Sequence, residues 1–166
     1  THLALGDPVF DPPDEETIRI SLFHTTDLHG HILPTQTYDG VTDVGGFARC
    51  LSRIRSWRRS NPNHLSIDLG DLYQGTHVSL ENEGELMIKL LNAANFDAWV
   101  AGNHDFDWGE NVFAKAVKGS SMPVISANLE VDGFASGESH HQGGSFANLL
   151  PTAVKEVAGI RIGILG

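Results

Sequence analysis

Apolar positions along the chain fall into two spacings that alternate from one stretch to the next. Ile18 to His24, IRISLFH, is apolar at every second position over most of its length and predicts a strand, followed by the loop TTDLHGHILPT. Phe47, Leu51, Ile54 and Trp57 then recur at steps of three and four, which predicts an amphipathic helix over 45 to 60. Leu65 to Leu69 is a short run suited to a buried strand and closes in Gly70-Asp71. Leu86, Leu90, Leu91 and Ala94 share one face of a helix over about 84 to 94, and Ala98 to Ala101 form a strand closing in Gly102-Asn103-His104-Asp105. A further helix is expected over about 109 to 118 and a strand over Pro123 to Ala127. Residues 132 to 148, rich in Gly, Ser and His, read as a loop, and TAVKEVAGIRIGILG as two strands turning near Ala158-Gly159. Repeated β-α-β order predicts a mainly parallel or mixed sheet with helices on both faces, in the α/β (α+β) class.

Composition narrows the reading. With 166 residues, 40% of them hydrophobic, one compact domain is expected. Twenty-one acidic against 11 basic residues give a formal charge of −10, which disfavours binding to nucleic acid. Arg49, Arg53, Arg55, Arg58 and Arg59 cluster, but they interleave with the apolar stripe of the first predicted helix and read as its solvated face. The single cysteine, Cys50, has no partner for an internal disulfide, and no apolar run approaches the ~18 residues of a membrane span. Residues 1–16 carry Pro8, Pro12 and Pro13 among Asp11, Asp14, Glu15 and Glu16. They read as a polar extended leader of the kind that follows a cleaved signal, and favour a periplasmic or extracellular protein. The closing Gly163-Ile164-Leu165-Gly166 resembles an interior strand that should feed a functional loop, so a longer protein is expected.

The chemistry gathers at strand ends. Asp27 and His29 follow the first predicted strand, Asp71 the second, Asn103 and His104 the third. In open α/β sheets ligands bind beyond the carboxyl ends of the strands, so these residues are expected to converge. Carboxylate, imidazole and amide donors suit a divalent ion such as Mn²⁺, Fe²⁺, Co²⁺ or Zn²⁺, and the lack of thiolates argues against a structural zinc cage. Singly, Asp and Asn are ordinary turn and cap residues. Together, D-x-H, G-D-x-x-x-G and G-N-H-D-F-D close three strands in order, with Gly70, Gly75 and Gly102 permitting close backbone approach.

Asp27-Leu28-His29-Gly30-His31, Gly70-Asp71-Leu72-Tyr73-Gln74-Gly75-Thr76 and Gly102-Asn103-His104-Asp105-Phe106-Asp107 resemble the first three motifs of the calcineurin-like metallophosphoesterases. The likeness is greatest to the 5′-nucleotidase branch, which includes exported UDP-sugar hydrolases and 2′,3′-cyclic-nucleotide phosphodiesterases. Gly45-Gly46-Phe47-Ala48-Arg49, Gln74-Gly75-Thr76 and Ser126-Ala127-Asn128 add support, and the likeness runs from about Ile18 to Gly166. The resemblance implies that residues 17–166 are the N-terminal part of a catalytic domain in which two packed sheets form a sandwich flanked by helices. It also implies two divalent ions (Mn, Zn, Fe, Co or Ca): Asp27 and His29 would hold the first, Asp71 would bridge both, and Asn103 would hold the second. The ions would acidify a bridging water and orient it for in-line attack on a nucleotide or other phosphate ester. Asn103 and His104 would meet the substrate, with His104 acting catalytically and paired to Asp107, while Asp105 occupies a variable acidic position.

The family also uses a Gly-His and a Gly-His-x-His motif in the second half of its catalytic domain, and neither follows Asp107 here. His140-His141 reads as surface, His24, His64 and His77 as structural, and His31 as a candidate for the layer behind the ligands. The implied partner is therefore a remaining C-terminal half, without which the 166 residues are expected to be inactive. One rival is a non-catalytic nucleotide-binding or interaction module with an incomplete metal site. Another is a thiosulfate-ester hydrolase of a related branch, against which the Gly-Asp-x-x-Gln-Gly form of the second motif speaks. In nucleotidases a separate C-terminal domain grips the base, so AMP, UDP-glucose and cyclic nucleotides are equally open as substrates.

Overall fold

The computed structural model describes residues 17–129, 146 and 148–166. Five strands, β1 (Ser21–Thr25), β2 (His64–Asp68), β3 (Ala98–Val100), β4 (Val124–Ile125) and β5 (Leu149–Leu150), lie side by side in sequence order and all run parallel. Parallel neighbours need a crossover, and α1 (Phe47–Ser60), α3 (Glu85–Ala93) and α4 (Glu110–Gly119) supply three of them. A one-turn α2 (His77–Glu81) precedes α3, and a single 3₁₀ turn spans Asn103–Phe106. The chain closes with an antiparallel hairpin of β6 (Thr152–Val157) and β7 (Ile160–Leu165). Positive φ at Ala158 and Gly159 makes the tight turn expected there.

Because strand side chains alternate, the sheet has two different faces. Trp99, Val124 and Leu149 point to the side where Phe47, Leu51 and Ile54 of α1, Met87, Ile88 and Leu91 of α3, and Val112, Phe113 and Val117 of α4 make the main core. Leu65, Ile67, Ala98 and Ile125 point the other way, onto Ala153, Ile162 and Ile164 of the hairpin. The expectation of helices on both faces is thus corrected: among the described residues the second face is covered by a second sheet. The two packed sheets of the sandwich expectation are present. A helix cannot take that place because the segment after β5 alternates with period two and so offers a strand face.

The arginine cluster also differs from expectation. Arg49 pairs with Asp43 and Arg53 lies 5.0 Å over the ring of Trp57. Arg58 turns inward, donating to Ser66 Oγ at 3.0 Å and to the main-chain oxygens of Ala94 and Asn95, with its guanidinium 5.6 Å from the ring of Phe96. It ties the end of α1 to β2 and to the turn before β3, so it is not part of a solvated face. Strand β1 begins at Ser21, three residues later than the alternation suggested, and it is the edge of the sheet: Leu22 is 60% exposed. Helix α2 and strand β5 are too short, at five and two residues, to leave a periodic signal. The loop expected over 132–148 and the leader 1–16 lie almost wholly outside the described residues.

Candidate metal centre

The strand-end loops after β1, β2 and β3 share one edge of the sheet and are laced together by main-chain bonds. Asp27 N–H donates to Gly70 O (3.0 Å), His29 N–H to Asp71 O (2.9 Å) and Gly30 N–H to Leu72 O (3.0 Å). This lacing holds Asp27, His29 and Asp71 with φ of 53°, 46° and 54°, a left-handed backbone uncommon outside glycine. Such conformations persist where surrounding bonds over-determine them, and here they aim three side chains at one place.

One ligand atom from each of Asp27, His29 and Asp71 lies within 4.8 Å of the other two. His29 Nε2 is 3.8 Å from Asp27 Oδ1, while Asp27 Oδ2 accepts from the Thr26 hydroxyl at 2.5 Å. The other His29 nitrogen, Nδ1, is 2.8 Å from the main-chain oxygen of Gln74. A carbonyl only accepts, so Nδ1 carries the proton and the Nε2 lone pair is left for a cation. Two carboxylates and one so-prepared imidazole fit a hard or borderline divalent ion.

The loop after β3 closes the site from the other side. Gly70, with φ of 97°, and Gly102 are pressed together so tightly that a Cβ on Gly102 would collide with the amide and carboxylate of Asp71. His104 N–H donates to Asp71 Oδ1 at 2.9 Å, its ring meets that of His29 edge-on at 5.4 Å, and its Nδ1 is 2.8 Å from Asp107 Oδ2. The bond to Asp107 raises the His104 pKa above the usual histidine value. Partial burial opposes this, and the charges of Asp107, Asp71 and Asp105 reinforce it. Asn103 is exposed in the same 3₁₀ turn, one residue before the amide that bonds Asp71. Asp27, His29, Asp71 and His104 are therefore brought together, with Asn103 and Asp107 flanking them.

Two carboxylates that carried no role in the sequence reading lie buried behind this surface. Asp68, the last residue of β2, accepts from the Thr25 hydroxyl (2.6 Å) and from Gly70 N–H (3.0 Å), and burial lifts its pKa to about 7. Asp105 accepts from the N–H groups of Asp71, Leu72 and Gly102, and burial lifts its pKa to about 6 against those bonds. A charged residue closing the buried run LSID was the available signal for Asp68. Among the other histidines, His64 bonds the main-chain oxygen of Asn61 and His77 pairs with Glu81 on α2. His24 and His31 are exposed, and His140-His141 lies outside the described residues.

Residues 20–153 match the calcineurin-like phosphoesterase family. The chain belongs to that family. Mouse 5′-nucleotidase is 32% identical over 172 residues, a match covering 99% of this chain and 28% of the mouse protein. Among solved structures, a 5′-nucleotidase precursor from Thermus thermophilus is 33% identical with a TM-score of 0.70, over 89% of this chain and 28% of that one. A Haemophilus influenzae NAD nucleotidase is 27% identical with a TM-score of 0.74, over 88% and 28%. The chain thus spans little more than a quarter of the length of these phosphoesterase relatives. Among the described residues no helix is long and apolar enough to cross a membrane.

Proposed function

We propose that residues 17–166 form the N-terminal part of the catalytic domain of a dimetal-dependent nucleotide phosphoesterase, preceded by the leader 1–16 and exported to the periplasm or the cell exterior. The observation that carries this reading is the gathering of Asp27, His29 and Asp71 ligand atoms within 4.8 Å beside His104. Asp27 and His29 would hold one ion, Asp71 would serve both, and Asn103 the second. The remaining ligands would come from the part of the protein that the relatives carry beyond this stretch. Bound divalent ions would supply Lewis acidity at the phosphoryl group and acidify a nucleophilic water.

The chain's own residues do the rest. The Gln74 carbonyl keeps His29 in the tautomer that offers Nε2, and the His104 amide holds one oxygen of Asp71 in place. His104, bonded to Asp107 through Nδ1, presents Nε2–H to a phosphoryl oxygen or the leaving ester oxygen as charge develops there. Nucleotide substrates are favoured by the relatives, each named for a nucleotide or dinucleotide.

The test is phosphate release by the full-length protein with Mn²⁺ from AMP, UDP-glucose and 2′,3′-cyclic AMP, before and after chelation. Hydrolysis of at least one, lost on chelation and restored by Mn²⁺, is the expected result. A metal-loaded protein inert toward all of them overturns the reading.

A further inference from the structure

Asp105 is unlike Asp27 and Asp71, which are exposed and half-buried. It is completely buried, it points away from solvent, and both carboxylate oxygens are engaged by main-chain donors, two from the loop after β2 and one from Gly102 at the start of its own turn. Oδ2 accepts from Asp71 N–H at 3.1 Å and Gly102 N–H at 2.9 Å, and Oδ1 accepts from Leu72 N–H at 2.8 Å. Its own main-chain oxygen takes the hydroxyl of Tyr73, another fully buried side chain.

These bonds seize the peptide groups on both sides of Asp71. The amide before its Cα is held by Oδ2 and the amide after it by Oδ1, so one carboxylate grips the N–H side of both planes flanking the left-handed backbone at Asp71, φ 54°, while Asp27 and His29 N–H groups take the carbonyls of the same planes. The direction of the Asp71 Cα–Cβ bond follows from those planes. Asp105 also stands next to His104, whose amide meets Asp71 Oδ1, and three residues from Gly102, whose amide it holds. Asp105 therefore bonds both the backbone that carries the Asp71 carboxylate and the start of the Asn103–His104 turn, alongside the direct bond from His104 N–H to Asp71 Oδ1. We infer that Asp105 is a positioning residue of the metal centre: it touches neither ion nor substrate, and it sets the spacing between Asp71 and the Asn103–His104 turn on which two-ion binding depends. This rests on the phosphoesterase reading given above for the meaning of that spacing.

The demand is for a carboxylate of this length. Three N–H donors converge on two oxygens, and an amide in the same place has a single acceptor and turns its NH₂ toward at least one N–H. Glutamate keeps both acceptors but adds a methylene where no exposed volume exists, so it shifts the held loop. Supporting groups behind metal ligands change affinity by about 10- to 100-fold when altered, and an effect of that size is expected here.

The experiment measures Mn²⁺ binding by calorimetry, melting temperature in chelator, and kcat and KM for AMP. It uses full-length wild type, Asp105→Asn, Asp105→Glu and Tyr73→Phe. The expected result is that both Asp105 variants weaken at least one Mn²⁺ site about 10- to 100-fold and lower kcat, with KM changed less than about threefold. Tyr73→Phe, which removes only the bond to the Asp105 main chain, lowers the melting temperature and leaves Mn²⁺ affinity as in wild type. Asp105 variants that melt earlier but bind Mn²⁺ as wild type does overturn the inference, since a purely structural role moves only the melting temperature.

Hydrogen exchange on metal-free wild type decides the matter even where no variant folds. Slow exchange at Asp71, Leu72 and Gly102 amides before metal is added is expected, and fast exchange that slows only with Mn²⁺ overturns the inference. A wild type that binds Mn²⁺ but hydrolyses nothing sinks the phosphoesterase reading instead, and the Asp105 inference is still decided by Mn²⁺ affinity and exchange.

Discussion

His104 Nδ1 lies 2.8 Å from Asp107 Oδ2, at the end of the turn that also offers the His104 amide to Asp71. One residue is thus tied to the metal side through its backbone and to a carboxylate through its ring. The ring bond keeps the imidazolium form populated to higher pH than an isolated histidine would. Nε2 is the nitrogen left to meet substrate.

From this division of labour, His104→Ala lowers kcat by about 10² to 10⁴ while the metal content stays near that of wild type, because the backbone bond to Asp71 survives the substitution. Asp107→Asn gives a smaller fall in kcat and also spares the ions. Elemental analysis of the purified variants beside AMP turnover checks both. Loss of metal from His104→Ala would make the ring a ligand.

Asp71→Ala behaves differently. It removes the carboxylate assigned to both ions, so Mn²⁺ binding falls below detection at concentrations that saturate wild type, and excess Mn²⁺ does not restore turnover. Asp27→Ala and His29→Ala weaken binding and are partly rescued by excess metal. Calorimetric titration with Mn²⁺ reads the order of the three, and Asp71→Ala binding as tightly as His29→Ala would contradict the shared role.

Close packing of Gly70 against Gly102 gives a steric prediction. A methyl group at residue 102 meets the amide and carboxylate of Asp71, neither of which yields without breaking the lacing between loops. Gly102→Ala therefore costs about 1–3 kcal/mol and also weakens Mn²⁺ binding. Denaturant titration and calorimetry measure the two effects, and a change within about 0.5 kcal/mol, the range of an ordinary surface substitution, would contradict it.

Much of this centre was legible in the chain because strand ends announce themselves. Apolar runs stop at Thr25, Asp68 and Val100, and each gives way to a short, polar segment rich in glycine, so Asp27, His29, Asp71 and His104 could be placed at one sheet edge from the residue order alone. Asp105 was not legible as a contributor, and Asp68 showed only as a charge closing a buried run. Asp105 works by accepting main-chain N–H groups from the loop after β2, more than thirty residues away, and main-chain donors leave no trace in residue identity. Asp68 is held by the Thr25 hydroxyl and the Gly70 N–H, a pairing that depends on the register of β1 against β2. The inward turn of Arg58 was missed for a related reason: its partners are the main-chain oxygens of Ala94 and Asn95 and a serine on β2, while helical periodicity reports only which face is apolar. The hairpin was foreseen as two strands, yet its place over Leu65, Ile67 and Ile125 depends on which sheet face the three crossover helices leave open.

Asp68 supplies a prediction about pH. In the metal-free protein its pKa is about 7, against an ordinary value of 3.8, chiefly because burial penalises the charge. The Thr25 and Gly70 bonds oppose that rise, and the nearby charges of Asp105 and Asp27 add to it. The folded-state pKa is raised, so the folded state binds the proton more tightly than the unfolded chain does. The stability that this confers is complete below about pH 4, falls as pH rises, and is gone above about pH 7. At 1.36 kcal/mol per unit, the three or so units amount to roughly 4 kcal/mol of pH-dependent stability. Asparagine has the same shape and cannot ionise: its carbonyl accepts from Gly70 N–H and its NH₂ donates to the Thr25 hydroxyl oxygen. In chelator, Asp68→Asn therefore melts close to wild type near pH 4 and progressively above it between pH 4 and 7, with the gap constant from pH 7 to 8. Other titrating groups, Asp105 included, are common to both proteins and largely cancel in the difference. Thermal melts at pH 4, 5.5, 7 and 8 measure the gap, and one that does not widen with pH would mean that Asp68 is ionised in the fold throughout.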